Sequence, residues 1–231
     1  MTKPEQVILS EPVHALEITA KGSGIPIDLT IINAPQGSPA HISYEIPADN
    51  KGHESDIVLT ANLREKGTLC IDVSSPTKRG FFDLIKSGGN KGNAVKLTIA
   101  LPNEITSVSA VIGMGGFKWE GANVSKEFIA VIDMGKLKIK TLLTLETMDL
   151  TVSTGGIVVT GEASVSNSAL SAKNGLGGVN VTLKPGVDSS TVLSCSGAED
   201  VTAKVSGFEG KFSARATSLG SVSVKAPGGI S

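Results

Sequence analysis

Three stretches decide the fold: IGMGGFKWEG at residues 112–121, IDMGKLKIK at 132–140 and VSTGGIVVTG at 152–161. They align on Gly115, Gly135 and Gly155, twenty residues apart. Each glycine is followed by a short alternating run. In Lys136-Leu-Lys-Ile-Lys140, Leu137 and Ile139 face one side and three lysines face the other. The pattern continues through AKNGLGGVNVTL, SCSGAEDVTAKV and ATSLGSVSVKA. Taking Gly175, Gly197 and Gly220 as the next anchors, successive spacings are 20, 20, 20, 22 and 23. This alignment puts a two-residue insertion at Leu176-Gly177.

Stacking the units produces two apolar columns. One contains Phe117, Leu137, Ile157, Val179 and Val222. The other contains Trp119, Ile139, Val159, Val181 and Val224, with Val201 assigned to it from the irregular fifth unit. A second strand precedes each glycine, as in Phe128–Ile132 and Asp149–Val152. A unit of ~20 residues with short strands and no helical period predicts a β-solenoid of about six coils. One such coil cannot bury its own apolar side; stacked coils bury it continuously. The glycines are expected at corners, where backbones approach closely.

Upstream of the repeat, alternating runs cover residues 14–20, 26–33, 41–46, 57–63, 68–73 and 94–101. Turn-rich clusters separate them, and Arg64-Glu-Lys-Gly67 fits a hairpin loop. This spacing predicts antiparallel, sandwich-like β structure. The expected class is all-β: a sandwich-like capping domain over residues 1–100, then a solenoid domain over 101–231. Trp119 is expected in the first coil, beside the junction. Residues 74–93 interrupt the pattern and read as a long loop. Phe81 and Phe82, beside Lys78 and Arg79, form the chain's one aromatic-plus-basic cluster and are the candidate partner or membrane contact. The plainer reading is a loop covering a sheet edge.

Composition agrees with this architecture. The 231 residues include 27 glycines but only 3% aromatics, so Val, Ile, Leu and Ala must build the core. Lys+Arg number 21 against 22 Asp+Glu, a balance that gives no general attraction to nucleic acid or anionic membrane. The Lys136, Lys138 and Lys140 row is flanked by Lys118/Glu120 and Val158/Thr160, so no extended basic stripe is expected. Tyr44 and Trp119 are too sparse for base stacking.

The opening residues carry no apolar core or cleavage site of a signal peptide, and no apolar run is long enough to span a membrane. The expected location is cytoplasmic. Asn123 and Asn180 then match the glycosylation sequon by chance. Cys70 and Cys195 read as two buried free thiols in a reducing compartment, although the sequence leaves a disulfide between them open.

No reactive constellation emerges. His14, His41 and His53 lack metal-ligand spacing, and neither cysteine belongs to a CxxC pair. Gly113-Met-Gly115 begins a dinucleotide fingerprint, but Lys118 stands where its third glycine belongs. Asp133, Asp149, Glu162 and Lys138 are the candidates for a polysaccharide-cleaving face. Asp188, Glu199 and Asp200 read as isolated loop acids. The hydroxyl-rich strands near Ser194, Ser213, Ser221 and Ser223 read as a solvated face. No cofactor, metal or catalytic residue is expected.

The segment 95–102 (VKLTIALP), followed by the Ser153-Thr-Gly155, Lys173-Asn-Gly175 and Cys195-Ser-Gly197 corners, resembles the putative-adhesin β-helix domain family of bacteria. The resemblance covers roughly residues 95–228 well and the first 94 in outline. It implies a repeat fold and carries over no catalytic residue. The expected function is a non-enzymatic, adhesin-like protein presenting a binding or self-assembly surface to a protein or glycan partner. The alternative is a carbohydrate-active or carbohydrate-binding protein with its site near the interdomain groove.

Overall fold

The computed structural model describes residues 5–21, 26–46, 57–74, 94–102, 104–140, 143–160, 163–183, 192–205, 211–216 and 220–225. Six strands precede the repeat junction: β1 (Glu5–Ile8), β2 (Ala15–Ala20), β3 (Ile27–Asn33), β4 (His41–Glu45), β5 (Val58–Arg64) and β6 (Thr68–Ser74). The junction itself is β7 (Val95–Leu101) and β8 (Glu104–Trp119). Beyond it come β9 (Asn123–Ile139), β10 (Leu143–Val159), β11 (Ala163–Leu176), β12 (Val179–Leu183), β13 (Val192–Gly197), β14 (Val201–Val205), β15 (Lys211–Ala216) and β16 (Val222–Lys225). All sixteen belong to one hydrogen-bonded sheet, so the chain is all-β, as expected.

From β8 onward every ladder among the described residues is parallel. Gly115 lies opposite Gly135, and Gly135 opposite Gly155, which reproduces the twenty-residue period. At Gly135 the backbone has φ +153°, and a Cβ would run into the Gly115 carbonyl oxygen. Only glycine tolerates both conditions. The apolar columns are buried from Phe117 and Trp119 to Val179 and Val181, with Leu137, Ile139 and Ile157 0% exposed, and open at Val222, which is 45% exposed. Phe117, Trp119 and Phe128 pack together, with ring centroids 5.2–6.2 Å apart. The Trp119 indole N–H donates to the Ala122 carbonyl at 3.0 Å.

The extents of β2 to β7 match the alternating runs, β1 falls in none of them, and β5 turns into β6 through Glu65–Gly67 as expected. The predicted antiparallel pairing needs correction. Only β1–β4, β4–β7 and β5–β6 are antiparallel. Strand β2 lies parallel between β6 and β8, and β3 lies parallel between β7 and β8. Alternation reports which face a residue occupies and not the direction of its neighbour. Ile31 faces Trp119, which sets the tryptophan at the junction.

The register of the later units also differs from the sequence alignment. Val201 pairs with Val179 and Val222, so it belongs to the Phe117 column; Ala203 occupies the Trp119 column. The corner glycine of the fourth unit is Gly177 (φ +147°), whose Cβ would meet the Gly155 carbonyl. The equivalent position in the fifth unit is Glu199, whose N–H donates to the Gly177 carbonyl at 3.3 Å. The insertion falls earlier than Leu176-Gly177. Leu145 pairs with Val165, whereas Thr147 already pairs with Ala169. The two extra residues are therefore absorbed among positions 166–168, before the corner.

Candidate binding trough

Parallel register turns the outward-facing residues into rows. One row runs Lys136, Gly156, Gly178, Asp200; the next runs Lys138, Val158, Asn180, Thr202. Together with Gly155 and Glu199 they line a surface trough of about 520 Å³. Three strand spacings separate Lys136 from Asp200, about 14 Å at ~4.8 Å each.

The floor is low because two row positions lack side chains. Gly155 is required by the corner, but Gly156 is not. Its backbone is not left-handed, and a Cβ there would meet nothing nearer than the Gly178 carbonyl oxygen at 3.9 Å. Gly178 is tighter, with 3.1 Å to the Asp200 carbonyl oxygen. Below the floor, the buried Asn174 amide donates to the Gly155 and Gly178 carbonyls, both at 3.0 Å. Its Oδ1 atom is buried without a partner.

The trough is charged at its ends. Lys136 and Lys138 are exposed and form no ion pair among the described residues. Lys118 and Lys140 are instead engaged by Glu120, at 2.6 and 2.8 Å. Their hydrogen bonds hold the Glu120 carboxyl below its ordinary range. At the opposite end, Asp200 Oδ1 accepts from the Ser221 N–H and hydroxyl, both at 2.9 Å. These bonds hold Asp200 ionised and leave Oδ2 for a ligand.

Glu199 and Asp200, read as isolated acids in the sequence, therefore share one face with Lys136 and Lys138. Asn180 and Thr202 were not singled out as site residues. A signal was present. Gly116, Gly156 and Gly178 each follow a corner glycine and fall in one row with Lys136.

Within the polysaccharide-cleaving set, Asp133 and Asp149 do not converge. Asp149 lies opposite Ile129. Asp133 is four residues further along β9, about 13 Å away at ~3.3 Å per residue. A glycosidase pair needs about 5–9.5 Å. Glu162 lies outside the described residues, as do Phe81, Phe82, Lys78 and Arg79. The described residues contain no group of three or more His, Cys, Asp or Glu able to hold a metal ion. None of their helices is long and apolar enough to cross a membrane.

Cys70 is a free thiol and only half-buried. It donates to Glu17 Oε2 at 3.3 Å, and Arg64 contacts the same oxygen at 3.1 Å. Burial, then the hydrogen bond and charge of Glu17, push the thiol pKa up, so Cys70 is a poor nucleophile. The side chain of Cys195 lies outside the described set.

No family model and no curated relative matches this chain. Solved structures resemble it loosely. A putative cell adhesion protein from Clostridium sporogenes is 14% identical, covers 97% of this chain and 99% of its own, and has a TM-score of 0.46. A putative adhesin from Bacteroides fragilis is 13% identical over 98% of both chains, at 0.36. A putative lipid binding protein from Parabacteroides distasonis is 14% identical over 98% and 95%, at 0.35. Likenesses this loose carry no conclusion about function.

Proposed function

We propose that the protein is a non-enzymatic, adhesin-like binding module built as a β-solenoid, with residues 1–100 acting as its cap and 101–231 as its repeat arm. The observation that carries the reading is the in-register stacking, which converts single outward residues into ordered rows. The first region holds every antiparallel ladder among the described residues, as suits a cap; the second holds only parallel ones. On one face nine strands, from β5 to β15, span about 38 Å at ~4.8 Å per spacing. The trough is the recognition surface. The separation of Asp133 from Asp149 weighs against the carbohydrate-cleaving alternative.

A polysaccharide and protein binding array, followed by mass analysis of every ligand retained, tests this reading. Ligands recovered intact are expected. Cleavage of any retained ligand by the purified chain would overturn it. Light scattering over a wide concentration range separates partner binding from self-assembly. A concentration-independent mass of about 23.6 kDa points to partner binding and rules out assembly.

A further inference from the structure

We propose that the trough between Lys136 and Asp200 takes a short acidic oligosaccharide, its carboxylate on the lysines and its hydroxyls on Asp200, Asn180 and Thr202. This rests on the binding reading above and adds the ligand class to it.

Four observations bear on the class. First, Lys136 and Lys138 are charged, exposed and unpaired among the described residues, so an anionic group gains two ammonium partners without breaking an existing pair. Second, the far end is anionic. A polyanion of uniform charge, such as a nucleic acid strand, would be attracted at one end and repelled by Glu199 and Asp200 at the other. A ligand with an acid at one end and neutral hydroxyls at the other fits both. Hydroxyl donors to an ionised carboxylate make strong hydrogen bonds, and Ser221 already orients Asp200 to receive them. Third, the trough presents an amide at Asn180 and, beside Asp200, a hydroxyl at Thr202, each able to donate and accept. Fourth, the trough lies on a sheet face whose backbone groups pair within the sheet, as in Ile157 N–H to the Gly178 carbonyl at 3.1 Å. An extended peptide could not add here as a further strand. The volume of about 520 Å³ suits a small ligand.

Gly156 supplies the decisive variant. The fold does not require glycine there, and its side-chain space opens into the trough. Calorimetric titration with sialyllactose, an acidic trimer with its single carboxylate at one end, is compared with the neutral trimer galactosyl-lactose and with an acidic peptide of equal charge. The acidic trimer is expected to bind at least tenfold more tightly than either. Gly156→Leu is expected to weaken it tenfold or more while leaving the thermal midpoint unchanged. Lys136→Glu combined with Lys138→Glu, both on the exposed face, should weaken it likewise even if Gly156→Leu proves unstable. The inference is overturned if the neutral trimer or the peptide binds as tightly as the acidic trimer. It is also overturned if the lysine variant binds the acidic trimer like the parent. A partner found on the array whose binding survives both variants would leave the broader binding reading standing while this inference falls. Cleavage of the trimer would remove the broader reading itself.

Discussion

Strand β9 finds a neighbour twenty residues away on either side: Glu127 faces Ser107 and Thr147. Strand β2 makes the same kind of parallel ladder by a longer route. Ala15 faces Thr68, 53 residues later, and Ser107, 92 residues later. Both regions bury the same sort of apolar column, and Leu16 and Leu137 are each at most 1% exposed. The first region, however, must close much larger loops. Going from a 20-residue to a 92-residue closure costs about 1.4 kcal/mol of additional chain entropy. That difference does not exceed the burial of a single leucine, about 1.5–3 kcal/mol. Layers assembled out of chain order are thus thermodynamically tolerable, and the expected penalty is kinetic. The first region also contains antiparallel edge strands, whereas the last described strands of the repeat are the parallel β15 and β16, where Val222 is 45% exposed.

The sharpest way to break the comparison is at a corner inside the repeat. Gly135→Val places a branched Cβ against the Gly115 carbonyl at a φ that valine avoids. A loss of more than about 4 kcal/mol is expected, seen as an insoluble chain or an absent cooperative melt. A folded Gly135→Val protein would show that the corner geometry is not what holds the layers in register.

At the junction, Trp119→Ala removes a fully buried indole between β3 and β9 and leaves the Ala122 carbonyl without its donor. Denaturant unfolding should show a cost of about 3–5 kcal/mol. Hydrogen exchange would locate it: amides of β3 and β7 should lose protection more than those of β10. Equal loss everywhere would mean that the two regions unfold as one unit.

Within the repeat, Asn174→Ala removes a donor from the Gly155 and Gly178 carbonyls, the latter keeping its bond from the Ile157 N–H, and should cost about 1–3 kcal/mol. A stabilised variant would mean that the unpartnered Oδ1 outweighs both donated bonds.

Surface ion pairs should discriminate least between the regions. Glu120→Gln in the repeat and Arg64→Ala in the first region should each cost about 1 kcal/mol or less. Their pH behaviour is more telling. The folded Glu120 carboxyl lies below its ordinary value of 4.5, so its contribution is complete above that pH and fades as pH falls towards the folded value. Parent and Glu120→Gln melting curves should therefore converge as pH falls from 4.5 through the lower folded value. Curves that stay parallel across this range would remove Glu120 as a stabilising link between Lys118 and Lys140.

Smallest of all, Gly156→Ala should change stability by no more than about 0.5 kcal/mol, since its Cβ makes only an ordinary contact, 3.9 Å from the Gly178 carbonyl oxygen. A large loss there would return Gly156 to the class of corner glycines and weaken the case for the trough.

Much of this molecule is legible in the amino-acid sequence. Side chains alternate across a strand, so Ile27, Leu29 and Ile31 declare their buried face without any knowledge of their neighbours. The repeat declares its period because three successive units carry a glycine, Gly115, Gly135 and Gly155, at the same corner. The columns through Phe117 and Trp119 follow directly from it. What lay beyond the sequence were the relations between strands. Alternation is the same for parallel and antiparallel partners, so the pairing of β2 and β3 with β8 had no local signature. In the fifth unit Glu199 replaces the corner glycine and Gly197 offers a false one, so Val201 slipped by one column. That slip also hid the trough. Lys136 and Asp200 are 64 residues apart in the chain, and only the tertiary register sets them on one row. Burial is written locally, residue by residue; a binding surface made of rows exists only once the layers have stacked.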